Sequence, residues 1–148
     1  MNKPSDFNNV LTSLLHLQNI YKFKLDIAVP KKILQTKNPE ITKFKNQKLN
    51  FLSELKDAAK QSNCIMTDVW LSMGEKNKNK IKYFKGYTIN NKIMSLAEKN
   101  AIFMHCLPAK RGQEVASEVI DSKNSVVLQQ ARNRMFIQQA ILLYVLEN

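Results

Sequence analysis

The sequence predicts an α/β fold: a mostly parallel sheet with helices on both faces. Three observations predict it. Short apolar stretches alternate with segments of helical period along the whole chain. The connections between successive strand candidates hold helices, as right-handed β-α-β units require. Several strand candidates read as short, nearly continuous apolar runs, the pattern of strands buried on both faces. At 148 residues the chain fits one domain, of a size that buries about 70% of its unfolded surface.

Val10, Leu14, Leu17 and Tyr21 recur at spacings of three and four, which predicts a helix over 9–22. Phe23 to Val29 alternates apolar and polar residues and stops at Pro30, as a short strand does. Pro39, in a first-turn position, with Ile41 and Phe44 on one side, predicts a helix over 39–48. A strand at Asn50–Leu52, a helix at 54–61 and a buried strand at Cys64–Met66 follow. A polar helix is expected over about 75–83, a turn at Gly86, a helix over about 90–99 and a buried strand at Ala101–Met104. Val126–Leu128 is a further strand candidate. Gln130–Leu146 lacks proline and glycine and is rich in helix formers, so it should close the chain as a helix.

Composition narrows the function classes. Hydrophobic residues make up 44% and charged residues 24%, the balance of a chain with a packed core. The apolar run Ala140–Leu146 falls far short of a membrane span, and polar residues interrupt the N-terminal stretch a secretory signal would need, so the expected location is the cytoplasm. Cys64 and Cys106 have no CxxC spacing, so neither a disulfide framework nor a metal site is expected. The net charge of +11 raises nucleic-acid binding as a reading. Arginine occurs only at 111, 132 and 134, however, and lysine supplies the remaining basic residues, scattered and without interleaved aromatics. That pattern fits codon bias in an A+T-rich genome, and no nucleic-acid partner is expected.

In a parallel sheet, ligands bind beyond the carboxyl ends of the strands. Two loops therefore carry the chemistry. Thr67-Asp68-Val69-Trp70-Leu71-Ser72-Met73-Gly74 sets a carboxylate and a hydroxyl four residues apart, able to grip a cation; alternatively Asp68 is a cap and Trp70 a core residue. His105-Cys106-Leu107-Pro108 sets a thiol at a strand end. His105, Lys110 and Arg111 could lower its pKa; alternatively Cys106 is a small buried hydrophobe. A Cys-His hydrolase is disfavoured, because adjacent strand residues point to opposite sides.

TDVWLSMGE, HCLPAKRGQEV and QARNR, in this order and spacing, resemble the ornithine carbamoyltransferases, and Asn8-Asn9-Val10 is similar to the opening of that family's second domain. The resemblance covers nearly the whole chain. It implies the Rossmann-like second domain of the aspartate/ornithine carbamoyltransferase fold, over residues 1–148, and transfer of a carbamoyl group from carbamoyl phosphate to L-ornithine, giving citrulline, without metal or organic cofactor. Carried onto matching positions, it implies that Asn9, Asp68, Ser72 and Met73 hold ornithine. Cys106 would lie beside the attacking δ-nitrogen, and the carbonyls of Cys106 and Leu107, with Arg134, would orient the carbamoyl group.

The Ser-Thr-Arg-Thr and His-Pro-x-Gln motifs that hold carbamoyl phosphate in that family do not occur in this sequence. The resemblance thus implies an ornithine-binding half, inactive alone, whose partner half is encoded separately or lost. The final helix, about 130–146, should pack on that half, and without it should drive self-association. There are two smaller departures from the family: Ser5-Asp6-Phe7 replaces Gly-Asp-Gly, and Arg132 stands where glutamate is usual. A competing reading is a non-catalytic amino-acid-binding fragment or gene remnant.

Overall fold

The computed structural model describes residues 9–34, 44, 48–71 and 78–147. Helix α1, Asn9–Tyr21, buries Leu15 and Gln18. The Gln18 amide donates to the Phe23 carbonyl at 2.9 Å, so the polar group inside the helix face is satisfied as the chain turns into the first strand. Strand β1, Leu25–Ala28, pairs in parallel with β2, Leu49–Leu52, in the register Leu25↔Leu49 to Ala28↔Leu52. The one-turn helix α2, Lys31–Leu34, starts the crossover between them.

Helix α3, Leu55–Ala59, leads to β3, Cys64–Thr67. Its partner is β4, Ile102–His105, again parallel, with Cys64↔Ile102 and Thr67↔His105 as the end pairs. The crossover includes a 3₁₀ helix, Lys78–Phe84, and a one-turn helix α4, Asn91–Met94, whose Asn90 side chain accepts the Ile93 N–H at 3.1 Å as an N-cap. Helix α5, Ser117–Ile120, and the long helix α6, Val127–Glu147, follow. Among the described residues both strand pairs are thus parallel, and the class is α/β.

The ladders form two pairs, β1-β2 and β3-β4, and none joins β1 to β3 among the described residues. Each pair has its own core. Leu15, Ile27, Val29 and Ile33 form one, and the other surrounds fully buried Phe103 with Ile65, Ile89, Val115, Val119 and Val127. No helix among the described residues is long and apolar enough to cross a membrane.

Several expectations shift. The helix expected over 39–48 lies almost wholly outside the described residues, as do 75–77. Residues 78–84 form 3₁₀ turns, and the helix expected over 90–99 stops at Met94. The strand expected at Val126–Leu128 does not form. Ser125 makes a single parallel bridge to Phe103, and α6 begins at Val127, because Gln130 N–H already bonds the Val126 carbonyl at 2.8 Å. Helix α6, apolar over much of its length, was expected to need a cover. Every residue from Ala131 to Glu147 is exposed.

Candidate functional site

Because Thr67 and His105 are the last register pair of β3 and β4, the residues that follow them leave the sheet side by side. Asp68 and Cys106 meet there. The Cys106 thiol donates to Asp68 Oδ1 at 2.9 Å, and the same oxygen accepts the Val69 N–H at 2.7 Å. Burial, and then the hydrogen bond to Asp68 and its charge, push the thiol up to about 12; the Arg134 guanidinium pulls weakly the other way. Of the two readings of Cys106, activation by His105, Lys110 and Arg111 is therefore the one the structure opposes. Arg111 is spent on a bidentate pair with Asp121, 2.5 and 2.8 Å, at the surface. Asp68 is the charged neighbour that dominates at Cys106.

His105 is buried, hydrogen-bonded at one ring nitrogen and facing a carboxyl group with the other. Its Nδ1 accepts the Leu107 N–H at 2.9 Å, and its Nε2 lies 3.3 Å from Glu114 Oε1, close enough for attraction but not aligned as a hydrogen bond. Its backbone N–H donates to Gln130 Oε1 at 3.0 Å, which fixes the start of α6 against the end of β4. One ligand atom from each of Asp68, His105 and Cys106 lies within 4.8 Å of the others. Strand alternation does not keep His105 and Cys106 apart, since His105 is the last ladder residue and the chain turns at Leu107, φ 53°. Such a triad could hold a soft divalent ion, and cysteine spacing in the sequence gives no sign of it. Here its atoms are engaged by one another and by Leu107.

Arg134 is exposed on α6, one turn beyond Gln130, and its charge reaches Cys106. Arg132, the position that departs from the family pattern, lies over the Phe136 ring at 5.6 Å. Asn9 is exposed at the start of α1, on a different element from the thiol. Ser72, Met73 and Phe7 lie outside the described residues. The loop after β3 is gripped by aromatic packing: Trp70 stacks on Phe84 at 5.6 Å, Phe84 meets Tyr87 edge-on at 6.0 Å, and the Tyr87 hydroxyl donates to the Ser53 carbonyl. A cavity of about 760 Å³ between β1 and β3 is lined by Asp68, Trp70, Lys80, Tyr87 and Met104 but not by Cys106. The chemistry sits at its rim, and Asp68 is common to both. Reading of the sequence missed Glu114 and Gln130 as site-supporting residues, although both lie inside the quoted motifs.

A family model described as aspartate/ornithine carbamoyltransferase, Asp/Orn binding domain, matches residues 5–145. The chain is 42% identical over 143 residues to the ornithine carbamoyltransferase of Rhodopseudomonas palustris, covering 95% of this chain and 46% of that protein. Against the ornithine carbamoyltransferase of Mesorhizobium japonicum it is 41% identical, covering 95% and 47%. The crystal structure of anabolic ornithine carbamoyltransferase from Campylobacter jejuni superposes with a TM-score of 0.82 at 36% identity, over 93% of this chain and 47% of that one. The Pyrococcus furiosus ornithine carbamoyltransferase gives 0.75 at 34% identity, over 93% and 46%. N-acetyl-L-ornithine transcarbamylase, at 19% identity and a TM-score of 0.74, shares the fold. The chain spans about half the length of the curated relatives it matches. With the site's two loops, the matched model and these relatives in agreement, this chain belongs to the aspartate/ornithine carbamoyltransferase family and carries its Asp/Orn-binding domain.

Proposed function

We propose that this chain is the ornithine-binding half of an ornithine carbamoyltransferase, working with a carbamoyl-phosphate-binding half in the citrulline-forming direction. The observation that carries the reading is the Cys106–Asp68 pair at the adjoining carboxyl ends of β3 and β4, each residue inside a motif of the family. The cytoplasm and arginine biosynthesis are the setting that fits this reaction.

The chemistry follows from the pair. A thiol whose pKa is pushed up to about 12 keeps its proton at neutral pH, so Cys106 acts by hydrogen bonding and not as a covalent nucleophile. Asp68, with Asn9, Ser72 and Met73, would hold ornithine. The δ-amine attacks only after losing a proton, which burial beside Cys106 favours and the Asp68 charge opposes. Its nitrogen bonds to the carbamoyl carbon, the bond from that carbon to the phosphate oxygen breaks, and phosphate leaves carrying the proton that the nitrogen sheds as citrulline forms. The Cys106 and Leu107 carbonyls would orient the carbamoyl group, and Arg134 would stabilise the oxyanion that develops on it.

The test is reconstitution. The 148-residue chain alone should form no citrulline, because positioning the second substrate supplies much of the rate gain. With a carbamoyl-phosphate-binding half from a related enzyme it should. Asp68→Ala and Cys106→Ala should each lower that activity at least about 100-fold, in line with loss of substrate-positioning groups. Citrulline from the chain alone, or variants with unchanged rates, would overturn the proposal.

A further inference from the structure

We infer that Glu114 is a positioning residue: acting through His105, it holds the Leu107 backbone in place beside Cys106. The functional half of this inference rests on the proposed reaction, which would use the Leu107 carbonyl.

Glu114 and His105 are buried titratable side chains beside the site, both 0% exposed at the side chain. One Glu114 oxygen accepts the Lys110 N–H and faces His105 Nε2; the other has no hydrogen-bond partner among the described residues. Burying a carboxylate this way does not favour stability, since an apolar residue of similar size would serve the core as well or better. What the carboxylate does provide is direction. Facing Nε2, it favours the imidazole tautomer with its proton there, which leaves Nδ1 as an acceptor. Nδ1 then takes the Leu107 N–H at 2.9 Å.

That last bond matters because of where Leu107 sits. Its φ of 53° is in the left-handed region, which a leucine adopts only when its surroundings enforce it. The Leu107 N–H held by His105 is such a restraint, and Gln130 fixes the other side of His105 through its backbone N–H. The chain of contacts therefore runs from Glu114 to the His105 ring, to the Leu107 peptide, and so to the turn that carries Cys106.

The test compares Glu114→Gln, which keeps an acceptor oxygen, with Glu114→Leu, which fills the space without one. Nitrogen-15 NMR of the histidine rings reads the tautomer in the full chain, and amide exchange reads Leu107, with Phe103 as a core reference. The wild type and Glu114→Gln should show His105 with Nε2–H alone and a protected Leu107 amide. Glu114→Leu should give mixed tautomers and Leu107 exchange at least about tenfold faster, with Phe103 unchanged. A wild-type Nδ1–H tautomer overturns the inference without any variant, which covers the case that Glu114→Leu does not fold. So does Glu114→Leu that matches the wild type. In the reconstituted enzyme, Glu114→Leu should lower kcat at least tenfold with ornithine KM changed less than threefold, and Glu114→Gln should restore it. If the reconstituted wild type is inactive, the proposed reaction falls, and the tautomer and exchange results still decide the role of Glu114.

Discussion

Beside a carboxylate, a partly buried thiol holds its proton, and this has consequences that can be measured at Cys106. Its folded pKa is raised from the ordinary 9.0 to about 12. Between those values the unfolded chain binds fewer protons than the native one, so stability falls as pH rises. The contribution is complete below about pH 9 and disappears toward pH 12. Burial shifts Cys64 and Tyr87 in the same direction, so the wild type must be compared with Cys106→Ala. The urea midpoint of the wild type should drop more steeply between pH 9 and 11; parallel profiles would show that the thiol does not titrate as described. Asp68→Asn removes the charge but leaves the burial. Cys106 should then react several-fold faster with iodoacetamide at pH 9, and still more slowly than a free thiol. An unchanged rate would mean that Asp68 does not set the protonation of Cys106.

The junction between β4 and α6 depends on one side chain. Gln130 accepts the N–H of buried His105, and Val127, also buried, anchors the same turn beside Phe103. Gln130→Ala would leave that N–H unsatisfied, at a cost of about 1–3 kcal/mol in urea unfolding. The start of α6, and Arg134 with it, should loosen. A loss below about 0.5 kcal/mol would show that water or a neighbour replaces the amide. This junction also marks what sequence could and could not reveal. The four strands and both long helices were legible because their periodicity is local, and the two site loops because they follow strand ends. The strand expected at Val126–Leu128 failed because a single bridge to Phe103 gives way to a helix, a choice made by Gln130 and His105 across 25 residues. Which of the two readings of the thiol holds could not be decided from sequence for the same kind of reason. His105 and Arg111 are its neighbours in sequence, whereas Asp68, 38 residues away, is its neighbour in space.

At the scale of the whole molecule, the unusual feature is the exposed apolar surface of α6 among the described residues. Met135, Phe136, Ile137, Ile141, Leu142, Leu143, Tyr144, Val145 and Leu146 are each at least 47% exposed on α6. Fully burying one such side chain contributes about 1.5–3 kcal/mol, so this face carries a large driving force toward any apolar partner. The net charge of +11 opposes self-association at low ionic strength and is screened as salt rises. The 148-residue chain should therefore move toward larger species in sedimentation between 50 mM and 500 mM salt, and bind a hydrophobic dye. Adding the carbamoyl-phosphate-binding half should suppress both effects if, as the family resemblance implies, α6 packs on it. Replacing Leu142 and Val145 together with glutamate should abolish self-association while leaving the cores around Leu15 and Phe103 intact, because neither residue belongs to them. A monomer at every salt concentration, without dye binding, would mean that the face is covered in solution by the chain itself. Assembly with the other half would then have to displace that cover, and would be slower than assembly onto a face that is free.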